Sequence, residues 1–268
     1  MLNTLKMDSR RLFKSRNFYV MLSITVALVV FLCLMLAVIT SPEVLDAMEQ
    51  SGADVETADY QMGAQIASMS QLAFAHECLS SGFLLILAGM GMTFFVGNDF
   101  AGGYIKNICF ARPHRWEYVA SKALVGGIYS GVITILAVFF SLILPPVFGL
   151  HPAASAIGDV LSYTFWIWLP TWAFSLMALT MVLITRSVSL GIPMSVVCGG
   201  GIPAVLLRVF TGKLGWPPIE KYFISSLVSN CCVPQAGMEK IWMILASVAG
   251  WSVLYIAGSL LLTKKRDI

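Results

Sequence analysis

The sequence predicts an all-α polytopic membrane protein with six transmembrane helices, on three observations. Mean hydropathy is +0.82. Of the 268 residues, 58% are hydrophobic and 12% charged, about half the charge of a typical soluble domain. Six uncharged apolar runs approach or exceed the roughly 20 residues that cross a bilayer, and none alternates with the period of two expected of a barrel strand. This composition excludes a disordered chain and argues against an ordinary cytosolic enzyme.

Taken in order, residues 1–17 place Leu2, Leu5, Leu12 and Phe13 at helical spacing, with Lys6, Arg10, Lys14 and Arg16 on the polar side. Such a stretch predicts an amphipathic helix in the headgroup layer, defined by Leu5, Lys6, Arg10, Arg11, Leu12 and Phe13. Charges alone would serve topology, but topology does not require apolar periodicity. The spans follow at Phe18–Ile39, Leu79–Val96, Ala123–Leu144, Val160–Thr185, Val188–Leu207 and Ile241–Leu262. The second is short, so its helix is expected to begin earlier, within Gln61–Cys78. Pro193, Gly199–Gly201 and Pro203 predict a kinked or partly unwound fifth span. In the third, Gly127 and Gly131 allow close helix packing, inside the bundle before any dimer face.

The connecting segments carry the remaining information. The 41–78 loop holds seven acids and no Lys or Arg, and Ser41-Pro42-Glu43 reads as a helix start running toward Gln50. A solvated outer loop explains those acids more simply than a site for cationic substrates. In the 98–122 loop, Phe100, Tyr104, Ile105 and Ile108 form an apolar stripe, with Asp99, Lys106 and Asn107 off it. Pro113 ends that helix and Arg115–Lys122 leads into the third span. The stripe fits docking to a cytoplasmic partner, or a solvated hairpin with its aromatics in the interface. The 208–240 segment, with Trp216-Pro217-Pro218 and Ile224, Leu227 and Val228 at helical spacing, reads as a re-entrant element or a surface loop.

Charge sets the orientation. With six alternating spans, one side carries 13 basic and 4 acidic residues, and the other carries 4 basic and 10 acidic. The positive-inside rule puts both termini and the 98–122 loop in the cytoplasm of a multi-pass cell-membrane protein. Cys78, Cys231 and Cys232 then face outward, as free thiols or with Cys78 bridged to one of the adjacent pair. No cysteine spacing suggests a zinc site.

The six runs contain no Asp, Glu, Lys, Arg or His, which argues against an ion-coupled carrier. His76, His114 and His151 lie at or beyond the span boundaries, so no intramembrane Ser–His pair is expected. There is no G-x-x-x-x-G-K-[ST] motif, so the chain is not expected to bind nucleotide in the P-loop manner. The reading is of a non-enzyme with no cofactor of its own.

The pattern Asp99, Phe100, Gly103, Ile105, Lys106 and Asn107, followed by Arg115 and Lys122, resembles permease subunits of type-2 ATP-binding-cassette (ABC) transporters. Permeases of bacitracin resistance and lantibiotic immunity have loops of this kind. The basic N-terminus, the closing Lys264–Ile268 and the six spans extend the resemblance over the whole chain. Tyr104 stands where the family commonly has Thr, the acid is Asp in place of Glu, and Pro113-His114 replaces a more usual Val-Ser. The resemblance implies a single transmembrane domain over 1–268. It implies a coupling helix over Asp99–Ile108 seated in a cleft of a separate ATPase subunit, which would hold the ATP and magnesium. Re-entrant outer helices over 208–240 and a second permease copy or paralogue are implied as well. The expected partners are therefore the ATPase, that second permease and the lipid bilayer, with no nucleic acid. The expected activity is export of a peptide, antibiotic or lipid-like molecule. A scaffold or sensor docking a cytoplasmic partner through the same loop is the alternative of a different class, and a passive channel is disfavoured because no span shows a polar face.

Overall fold

Each apolar run becomes a helix because, in lipid, only a helix or a closed barrel satisfies its own backbone. The computed structural model describes residues 2–41, 44, 46, 50, 68–104, 116–150, 152–231 and 238–265. Among these the fold is helical, with a single isolated bridge between Ser70 and Ala153. The elements are α1 (Leu2–Lys14), α2 (Arg16–Thr40), α3 (Gln71–Ser80), α4 (Phe83–Ala101) and α5 (Trp116–Val147). Then come α6 (Ile157–Thr185), α7 (Val188–Gly199), α8 (Ile202–Leu214) and α9 (Met238–Lys265). Helices α2, α4, α5, α6 and α9 are each long and apolar enough to cross a membrane, and α7 with α8 makes a sixth candidate, bent by 49°. The chain is an all-α, multi-pass membrane protein.

The spans are not equivalent. The most apolar stretch of α6 is 72% buried within the protein and that of α4 61%, against 17% for α2 and 22% for α9. Helices α4 and α6 therefore form the centre, and α2 and α9 the flanks. Packing at the centre is tight because glycines stand where helices meet. Helix α7 runs along α4 with Gly191 against Thr93, Ser195 against Gly89 and Gly199 against Ile86. In α5, Gly127 and Gly131 receive the indoles of Trp172 and Trp168. Those rings stack with centroids 5.6 Å apart, and their Nε1 groups donate to the Ala123 and Gly127 carbonyls at 2.9 and 3.0 Å. The glycine pair thus serves packing inside the protomer, as expected.

The second span departs from its expected form. A helix does begin earlier, at Gln71, but it stops at Ser80, and the left-handed Gly82 (φ 82°) starts α4 on a new axis. A side chain at Gly82 would strike the Gly199 carbonyl, 2.6 Å from an added Cβ, so the break lies where α4 meets the end of α7. The fifth span breaks as Gly199–Gly201 predict, with Gly201 at φ 80° capping α8.

Beyond the spans, Ser41 ends α2 and its Oγ accepts the Val44 N–H at 3.4 Å, the contact expected of a helix start. Apart from Ser41, Val44, Asp46, Gln50 and 68–78, the acidic loop lies outside the described residues. In the 208–240 segment a 3-10 turn (Ile219–Tyr222) leads through Ile224–Ser226 into a π-helical turn (Leu227–Cys231). Ile224, Leu227 and Val228 are buried in the main core. The segment folds back onto the bundle, and the Trp251 indole donates to the Tyr222 carbonyl at 2.8 Å. His76, also buried, lies 3.2 Å from the Tyr163 hydroxyl. Cys78 is buried beside Cys33, with sulfurs 3.9 Å apart, so its near neighbour is a thiol of α2. The Cys231 side chain and Cys232 lie outside the described residues.

Candidate functional site at the N-terminal face

The site begins with one serine. Ser15 separates α1 from α2, its hydroxyl donating to the Leu12 carbonyl at 2.9 Å and accepting the Phe18 N–H at 3.2 Å. It closes the first helix and caps the second, and so fixes the angle at which α1 leaves the span. From that corner α1 lies against the start of α5, with Thr4, Asp8 and Leu12 buried at four-residue intervals. Lys6, Arg10, Lys14 and Arg16 are exposed, as the amphipathic pattern requires. The apolar stripe divides, however: Leu12 is buried, Leu5 is half-buried and Phe13 is exposed. The inward face is centred on an acid, Asp8, which the hydrophobic periodicity did not single out.

Helix α5 supplies the counter-charge. Its 32 residues span about 48 Å at about 1.5 Å each, longer than a hydrocarbon core of about 30 Å. Its first two turns, Trp116–Lys122, precede the apolar run. Lys122 is fully buried there, and its Nζ lies 2.7 Å from Asp99 Oδ2 and 3.1 Å from Asp8 Oδ1. Arg11 completes the set, with Nη2 2.7 Å from Asp99 Oδ1 and Nη1 3.7 Å from Asp8 Oδ1. Two carboxylates and two cations form a neutral quartet. The Ser121 hydroxyl donates to Asp8 at 2.6 Å and the Tyr118 hydroxyl to Asp99 at 3.2 Å. The Phe95 ring lies under the Lys122 ammonium, 4.1 Å from its centroid, a cation–π contact.

Tyr104 extends the cluster outward. Its ring lies 3.7 Å from the Arg11 guanidinium carbon, and its hydroxyl donates to Met7 Sδ at 3.1 Å. Burial raises the Tyr104 phenol above its ordinary value, against the opposing pull of Arg11. For Arg11 burial works the other way, and pairing with Asp99 more than offsets it, so the guanidinium is held above its ordinary value.

The residues expected to form a coupling helix therefore divide. Asp99 and Phe100 belong to the last turn of α4, which runs on to Ala101. Gly102 caps that helix and Gly103, at φ 65°, turns the chain toward Tyr104. Ile105, Lys106, Asn107 and Ile108 lie outside the described residues, as does Arg115. The structure brings together Asp99, Tyr104, Arg11 and Lys122 from the sequence reading and adds Asp8, Tyr118, Ser121 and Phe95. One signal could have flagged Asp8: it is the lone acid in a basic segment, three residues before Arg11. Among the described residues no three His, Cys, Asp or Glu side chains are grouped to hold a metal. The quartet ties α1, the end of α4 and the start of α5 to one another. No family model and no curated protein matches the chain.

Proposed function

We propose that the chain is the membrane-spanning permease subunit of an ATP-driven exporter of the type-2 ABC class, with its termini and the 98–122 loop on the cytoplasmic side. The observation that carries this reading is the buried quartet. A loop that receives force from an ATPase must pass it to the spans, and here both ends of the loop are clamped to each other and to α1. A push on the loop would move α4, α5 and α1 as one body, in the manner of rigid-element switching. The resemblance at Asp99, Phe100, Gly103, Ile105, Lys106, Asn107, Arg115 and Lys122 supplies the class. ATP and magnesium belong to a separate ATPase subunit, two permeases build the pathway, and the cargo class is a peptide, antibiotic or lipid-like molecule.

The test is copurification from the native membrane followed by reconstitution. The tagged chain should bring down an ATPase whose turnover it changes in liposomes. Lys106→Glu combined with Asn107→Asp should lose that ATPase while inserting normally. A chain that never captures an ATPase, and stimulates none, would replace the exporter by the scaffold or sensor reading.

A further inference from the structure

A groove of about 660 Å³ opens on the same face, between α1 and the end of α4. Its walls include Lys6, Arg10, Arg11 and Lys14 from α1 and Asn98 and Phe95 from α4, and among the described residues no carboxylate lines it. The quartet uses up the charge of Arg11, but among the described residues Lys6, Arg10 and Lys14 pair with no acid. Three cations without an acidic partner among the described residues thus converge on a cavity that also offers an amide and an aromatic wall.

The position of the groove narrows the ligand. The apolar run of the first span begins at Phe18 and that of the second ends at Val96, while Ser15 and Asn98 line the groove just beyond them. That is within about one helical turn, about 5.4 Å, of the hydrocarbon edge. Lipid phosphates occupy this layer, between a core about 30 Å thick and a bilayer of about 40–45 Å. We infer that the groove is a binding site for the phosphate headgroup of an anionic phospholipid, held by Lys6, Arg10 and Lys14 with Asn98 opposite. The inference is independent of transport, since it needs only the membrane span and the groove.

The experiment uses the full chain, purified and delipidated, then placed in phosphatidylcholine nanodiscs with or without phosphatidylglycerol. Lipid retained per chain is counted by native mass spectrometry. Wild type should keep phosphatidylglycerol in preference to phosphatidylcholine. Lys6→Gln, Arg10→Gln and Lys14→Gln should each weaken that retention about fivefold, at roughly 1 kcal/mol per basic side chain near an anionic surface. Asn98→Leu removes no charge and should weaken it too, which diffuse attraction to a charged surface would not produce. Neutralising Arg208, Lys213 and Lys240 is the matched control and should change little. Equal loss in that control, or full retention in Asn98→Leu, would overturn the site. Inorganic phosphate binding as tightly as the phospholipid would overturn the lipid assignment in favour of a free anion. Exposure of Lys6, Arg10 and Lys14 keeps their variants foldable, and a monodisperse elution profile checks that.

Discussion

Lys122 has no exposed surface, and its Nζ is shared by two carboxylates. Removing one member of a buried ion network leaves its partner charged and unsolvated, which costs about 3–5 kcal/mol. Lys122→Met should therefore lower the thermal stability of the purified protein sharply. Lys6→Gln, on the exposed side of the same cluster, should leave it within about 0.5 kcal/mol of wild type. A melting temperature unchanged by Lys122→Met would mean that the quartet does not form. Ser15 predicts a subtler effect. Ser15→Ala should cost about 1 kcal/mol, as loss of a helix cap does. It should raise hydrogen exchange in α1 while leaving α4 and α6 protected, and uniform protection would argue against the double cap.

At the scale of elements, the α4–α7 pair depends on absent side chains. A Cβ at Gly191 would stand 2.5 Å from Thr93 Cγ2, whereas one at Gly158 meets nothing within 4 Å. Gly191→Leu should destabilise by at least the roughly 1–3 kcal/mol of an overpacked core, and Gly158→Leu should be close to neutral. Detergent-solubilised yield and melting temperature together check the contrast. This pairing also marks the limit of sequence reading. The bend at Gly199–Gly201 was legible because local residue types disfavour a straight helix there. The break at Gly82 was not, because the close approach that leaves no room for a side chain there comes from the Gly199 carbonyl, on a helix more than a hundred residues away in the chain. The six runs were legible for a simpler reason: absence of charge over a bilayer's thickness is a one-dimensional signal.

For the whole molecule, the site was half legible. Asp99 and Lys122 stood out in the 98–122 loop pattern and Arg11 in the basic amphipathic segment, but their mutual pairing needs the fold, and Asp8 was hidden within a segment read for its bases and its leucines. The expected topology leads to a labelling pattern. A membrane-impermeant maleimide should reach Cys109 from the cytoplasmic side and Cys231 from outside, and the reverse pattern would invert the orientation. Cys33 and Cys78, both buried, should resist it from either side until the protein is denatured. The quartet also imposes a timetable on biosynthesis. Asp8 is made 114 residues before Lys122, so at about 5–20 residues per second the two are separated by roughly 6–23 s of translation. Until α5 emerges, the first helix has no ammonium to receive its acid and cannot dock. The nascent chain must wait with its N-terminus unlatched, and the closing of that latch reports that the third span has arrived.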